Sequence, residues 1–127
     1  MINFKNDLPE NCPDSSIESI KIKKRFYRVS KSSPPTRNDF IPLWDSGRVA
    51  LDRECLGKGI SISEELKDAK KLIKMFKKMG KYIYSGIIIY EKDGIVSLTP
   101  NYKNPSHRTW YPYDNTNEIN IFTIKEV

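Results

Sequence analysis

Apolar and polar residues alternate along residues 20–30, Ile-Lys-Ile-Lys-Lys-Arg-Phe-Tyr-Arg-Val-Ser, and period two predicts a strand. Ile20, Ile22, Phe26 and Arg28 fall on one face. Lys21, Lys23, Arg25, Tyr27 and Val29 fall on the other. A bulge near Lys24 would reverse that parity. Residues 31–39 hold Pro34 and Pro35, which fix an extended path and remove two donors, so this segment is expected to be irregular. Phe40, Ile41, Leu43 and Trp44 are expected to pin its far end into the core. Residues 45–58 show no periodicity beyond a short helical turn within 48–55.

Gly59-Ile60-Ser61-Ile62-Ser63 predicts a short strand that runs into the clearest helix of the chain. Leu66, Ala69, Leu72, Ile73, Phe76 and Met79 recur at three- and four-residue steps, an amphipathic pattern over residues 64–79. Ser63 is its expected N-cap and Gly80 its expected C′ residue. Glu64 and Glu65 suit the positive end of the helix dipole, Lys77 and Lys78 the negative end. Residues 81–91 are almost continuously apolar, which predicts a central strand. Lys92-Asp93-Gly94 is an expected turn, and residues 95–99 are expected to return as the hairpin partner. A polar-aromatic loop over residues 100–117 and a last strand over 118–127 complete the pattern. Residues 1–19 read as an irregular arm and residues 20–127 as a single α+β domain. Its expected architecture is one main amphipathic helix on a mixed or antiparallel sheet.

The 127 residues are 38% hydrophobic and 11% aromatic, enough for one core and too aromatic for a disordered chain. No apolar run approaches the roughly 20 residues that span a bilayer, so no membrane partner is expected. The first ten residues carry no apolar signal segment. Cys12 and Cys55 are too few for a disulfide scaffold, which predicts reduced thiols and a cytoplasmic protein. The net charge of +6 is compatible with phosphate-bearing partners and specifies none.

The chemistry-bearing motifs are few. Phosphate-binding glycine loops, His-Glu-x-x-His and Cys-x-x-Cys are absent. With one histidine and two distant cysteines, no metal site is expected. A Ser-His-Asp hydrolase would have to use His107, and no nucleophile turn accompanies it. Lys67, Lys70, Lys71, Lys74, Lys77, Lys78 and Lys81 crowd one helix and its exit. They read as a solvated face, since no aromatic is interleaved to stack bases. Arg28, with the parity of Phe26, either opens into a cleft as an anion clamp, pairs with a buried carboxylate, or reaches solvent from a bulge. Ser61 and Ser63 share a strand face just before a helix N-terminus. They serve an anion there, or Ser63 caps and Ser61 faces water. His107, in the long loop, is a candidate acid or base, or an exposed loop histidine. Trp110 and Tyr111 either wall a ring-shaped ligand or lid the core.

These residues carry a resemblance. Tyr27-Arg28 on the first strand, then Gly-Ile-Ser-x-Ser running into a helix, resembles the ADP-ribosyltransferase fold. It is most similar to small RES-type toxin domains and to related small bacterial or phage proteins. The resemblance spans residues 26–89. It implies that Arg28, beside Tyr27, holds a dinucleotide phosphate or ribose, and that Ser61 and Ser63 support a nicotinamide pocket. Ile62 departs from the family's Ser-Thr-Ser. The family's catalytic glutamate, within a Glu/Gln-x-Glu motif, finds its nearest analogue in Glu118-Ile119-Asn120, where Asn120 takes the acid's place. Glu118 and His107 are therefore the catalytic candidates for a transferase or glycohydrolase consuming NAD. A member that only binds a nucleotide is the other outcome. The expected function is thus a nucleotide-binding or transferase-like toxin or defence-related protein. The alternative is a non-enzymatic interaction protein: immunity- or inhibitor-like, or a weak nucleic-acid binder through its lysine-rich helix.

Overall fold

A computed structural model describes residues 3–127. The chain forms β1 (Ser19–Ile20), β2 (Lys24–Ser30), α1 (Glu54–Gly57), β3 (Ile60–Ser63), α2 (Leu66–Met75), β4 (Tyr82–Ile88), α3 (Tyr90–Asp93), β5 (Gly94–Leu98), β6 (His107–Pro112), α4 (Glu118–Ile121) and β7 (Ile124–Glu126). Short 3-10 turns occupy Arg37–Phe40, Leu43–Ser46 and Leu51–Arg53. The seven strands make one antiparallel sheet in the order β1-β5-β6-β3-β2-β4-β7. The protein is therefore α+β.

One face of the sheet carries the main core of Phe26, Phe40, Ile60, Ile62, Tyr84, Ile88, Val96, Trp110 and Phe122. The Phe122 ring meets those of Phe40 and Trp110 at 5.5 and 5.7 Å between centroids, both tilted, a favoured geometry for aromatic pairs. On the opposite face α2 packs Ala69, Leu66, Leu72 and Ile73 against Val29, Ile83 and Tyr27. Side chains of β2 thus meet packed residues on both faces of the sheet.

Several expected elements are redrawn. The 20–30 strand is two strands, because residues 21–23 leave the sheet. Ile20 pairs with Val96 on β5, whereas β2 starts at Lys24 beside β4. Ile22, expected on the apolar face, is consequently exposed. Helix α2 starts later than expected: Ser63 remains in β3, paired with Tyr27 and His107, and Glu65 is the N-cap. The helix also ends earlier, at Met75 with Phe76 as its C-cap, and Gly80 lies against β2 rather than at the helix end. A Cβ on Gly80, at φ +155°, would stand 2.5 Å from the Ser30 carbonyl oxygen, to which Lys81 N–H donates at 3.2 Å.

The expected β4–β5 hairpin does not form. The Lys92-Asp93-Gly94 signal belongs to α3, whose Asp93 carboxylate accepts from Ile89 N–H at 2.8 Å, and the chain crosses to the far half of the sheet. There β5 pairs with β1 and β6. The expected 100–117 loop contains β6, and the expected last strand is the turn α4 followed by β7.

The two cysteines are joined, Cys12 to Cys55, which overturns the expectation of reduced thiols and removes the premise for a cytoplasmic placement. The arm folds back on the domain to allow this: Phe4 bridges Tyr113, and Lys5 N–H donates to the Pro112 carbonyl at 2.9 Å. None of the described helices is long and apolar enough to cross a membrane.

Candidate functional site

The register of β2 locates the site. Against β4, β2 is paired from Lys24 to Ser30. Against β3 it pairs only at Tyr27↔Ser63. Past that point the two strands diverge, and the gap opens into a cleft of about 560 Å³, a size typical of small-molecule sites. Arg28 and Val29 line one edge of the gap, and Ile60 to Ser63 the other. Ile41, Pro42 and Leu43 close one wall. Leu72, Phe76 and Met79 from α2 and its exit, with residues 101–104, close the other.

Arg28 takes the place of the missing ladder. Its Nε and Nη2 donate to the Asp39 carbonyl at 3.0 and 2.8 Å, and Nη1 donates to the Ser61 carbonyl at 2.7 Å. Three N–H groups are used, and a guanidinium has five. Among the described residues no carboxylate forms an ion pair with it. The Asp39 carboxylate instead accepts from the backbone N–H of Lys31 and of Thr36. Burial lowers the Arg28 pKa to about 10, with the Asp39 charge acting the other way. It remains a cation at neutral pH, held charged against the burial that disfavours it.

His107 reaches the same cleft from β6, whose pairing sets it opposite Ser63 and diagonal to Ser61. Its Nδ1 lies 2.9 Å from the Thr99 carbonyl oxygen and 3.0 Å from Thr99 Oγ1. A carbonyl only accepts, so Nδ1 carries the proton. Neutral Nε2 is then an acceptor, 3.0 Å from Ser61 Oγ, which donates to it. Burial lowers the His107 pKa below its ordinary value. The Thr99 carbonyl opposes this shift, and the charges of Arg108 and Arg28 reinforce it. The imidazole is therefore neutral at pH 7. Ser63 lies deeper, its hydroxyl accepting from Asn104 Nδ2 at 2.9 Å.

Tyr27, Arg28, Ser61, Ser63 and His107 thus gather at one cleft, and the choice left open for Arg28 falls on a cleft position rather than a carboxylate partner. Trp110 and Tyr111 do not join them. Trp110 is fully buried in the main core, with Nε1 donating to the Asp93 carbonyl at 3.0 Å. Tyr111 is buried with its hydroxyl donating to the Cys55 carbonyl at 3.1 Å. The expectation that they wall a ligand fails because they sit on a strand packed on both flanks rather than in a loop. Glu118 also stands apart. It pairs with Lys5 and lines a separate depression.

Of the residues expected to pin the end of the 31–39 segment into the core, Phe40 does so, whereas Ile41 and Leu43 are exposed and line the cleft; the walls from Asn101 to Asn104, Phe76 and Met79 match no motif in the sequence. The exposed apolar residues at the end of the α2 pattern were the one available signal. The lysines of α2 and its exit are all exposed. Among the described residues no group of three or more His, Cys, Asp or Glu is placed to hold a metal ion. No family model, curated protein or solved structure matches the chain.

Proposed function

We propose that the cleft between β2 and β3 binds a small anionic nucleotide of the NAD or ADP-ribose class, on an ADP-ribosyltransferase-like scaffold. The observation that carries this reading is the Arg28 guanidinium, half-buried at the gap in the sheet with, among the described residues, no carboxylate in an ion pair with it and two N–H groups to spare. A phosphate accepting those two donors would offset part of the cost of burying the cation. Leu72, Phe76 and Met79 offer an apolar wall for a ring, and Lys103 adds a second cation at the rim. Among the described residues none that lines the cleft is acidic, so this reading is one of nucleotide binding rather than of transfer from the nucleotide; Glu118 has no part in it.

Calorimetry with NAD, ADP-ribose and AMP tests the reading. Saturable binding to the wild type and at least 100-fold weaker binding to Arg28→Lys, which keeps the charge but loses the planar fork, is the expected result. No heat with any of the three ligands, from protein of normal melting temperature, overturns it.

A further inference from the structure

We infer that Ser61 is a nucleophile with His107 as its general base, and that the cleft transfers the acyl group of a carboxylic ester through an acyl-serine. The inference uses the cleft described above but not the identity of any nucleotide. Three features of a nucleophilic serine meet here. The Ser61 hydroxyl donates to the His107 Nε2 at 3.0 Å. The other ring nitrogen is held by the Thr99 carbonyl at 2.9 Å, which fixes the tautomer that leaves Nε2 free to take a proton. Ser61 itself is exposed to the cleft, unlike Ser63, whose hydroxyl is buried against Asn104. A backbone carbonyl thus occupies the orienting position that a carboxylate holds in a Ser-His-Asp triad.

The surroundings select the electrophile. Val29, Ile41, Leu43, Leu72, Phe76 and Met79 line the cleft and suit an aliphatic or aryl acyl chain. The Arg28 cation, in no ion pair among the described residues and with two N–H groups to spare, suits an anionic group on the alcohol portion. In the forward step Ser61 Oγ forms a bond to the ester carbonyl carbon as its proton passes to His107 Nε2. Collapse of the tetrahedral adduct breaks the bond to the alkoxy oxygen, which leaves as the alcohol with that proton. Water, deprotonated by the same Nε2, then releases the acid and restores the serine. No oxidant, reductant or metal enters the balance.

The test uses a fluorophosphonate probe and p-nitrophenyl butyrate on the full chain, with the modified residue located by mass spectrometry. Labelling at Ser61, absent in Ser61→Ala and retained in Ser63→Ala, is expected. His107→Gln should slow it by about 100-fold or more, the ordinary yield of general-base catalysis. The wild-type rate should rise with pH through a midpoint below the ordinary histidine value and then level off, and His107→Gln should lose this profile. A Ser61 role that is only structural would leave no such profile. Failure of folded wild type to label at Ser61, or labelling that His107→Gln leaves unchanged, overturns the inference. Labelling without nucleotide binding would sink the nucleotide reading alone, and nucleotide binding without labelling would sink this one alone.

Discussion

Along its β4 flank, β2 is zipped from Lys24 to Ser30, whereas its β3 flank holds only at Tyr27. The zipped flank is continuous with the main core: Phe26 is fully buried there, and a Cβ on the facing Gly86 would stand 2.0 Å from the Ile121 carbonyl oxygen. The open flank replaces backbone pairing with one guanidinium and exposes Ser61 and His107 to a cleft. Backbone pairing, packing and the hydrogen bonds from Arg25 to Ser85 and from Ser85 to Glu126 account for the first flank. The second keeps a half-buried cation and a polar pair beside a gap in the ladder, and this is the kind of departure from the consistent rules of folding that marks a functional site.

The largest effect should come from the zipped side. Phe26→Ala is expected to lower the unfolding free energy in urea by about 3–5 kcal/mol, the range for deleting a fully buried phenyl group. A loss below about 1 kcal/mol would mean that the core does not hold this flank. On the open side the stability lies elsewhere. Replacing both Cys12 and Cys55 by serine should cost about 2–4 kcal/mol, because the disulfide closes a loop of 43 residues in sequence separation, a span for which chain entropy gives the upper part of that range.

Arg28→Lys should cost less in stability, about 1–3 kcal/mol, as it weakens the bonds to the Asp39 and Ser61 carbonyls. The same substitution should remove nucleotide affinity. An unchanged melting temperature would show that the guanidinium does not tie the gap together.

The pH dependence is smaller again. The folded state holds the His107 pKa below its unfolded value. Stability is therefore fully present above about pH 6.5, the unfolded value. It falls as pH drops below that, where only the unfolded chain binds the proton, and levels off below the folded pKa. The slope from this one group is at most about 1.4 kcal/mol per pH unit, and His107→Gln should remove it from urea titrations at several pH values. The smallest effect is expected at the exposed lysines. Charge reversal at Lys70, Lys74 and Lys77 should move stability by less than about 0.5 kcal/mol and leave nucleotide affinity within twofold. Steeply salt-dependent DNA or RNA binding by the wild type, abolished in this variant, would move the functional surface from the open flank to α2.

The two flanks were also unequally legible in the sequence. The parity of Phe26 and Arg28, the Ser61 and Ser63 strand and the apolar stripe of α2 are local patterns, written within a few residues of each other. The partnership of Ser61 with His107 depends on β3 meeting β6 across 46 positions, and prolines and aromatics around residues 100–117 disguise β6 as loop. The choice between ligand wall and core lid for Trp110 and Tyr111 is hidden for the same reason, since a strand pointing alternate residues into two packed faces looks like an aromatic loop when its partners are unknown. The link between Cys12 and Cys55 depends on the arm folding back, and no spacing rule carries that information. The crossing of β5 to the far half of the sheet hides behind an ordinary turn signature at Asp93-Gly94.

The covalent tie from the arm to α1 has one more result. The segment from Lys31 through Arg53, exposed at most positions but anchored by Phe40, lies wholly within the span it encloses, so a single protease cut there severs the backbone without releasing a fragment. Such clipped material would migrate as intact protein under oxidising electrophoresis and separate into two pieces only once a thiol reagent is added.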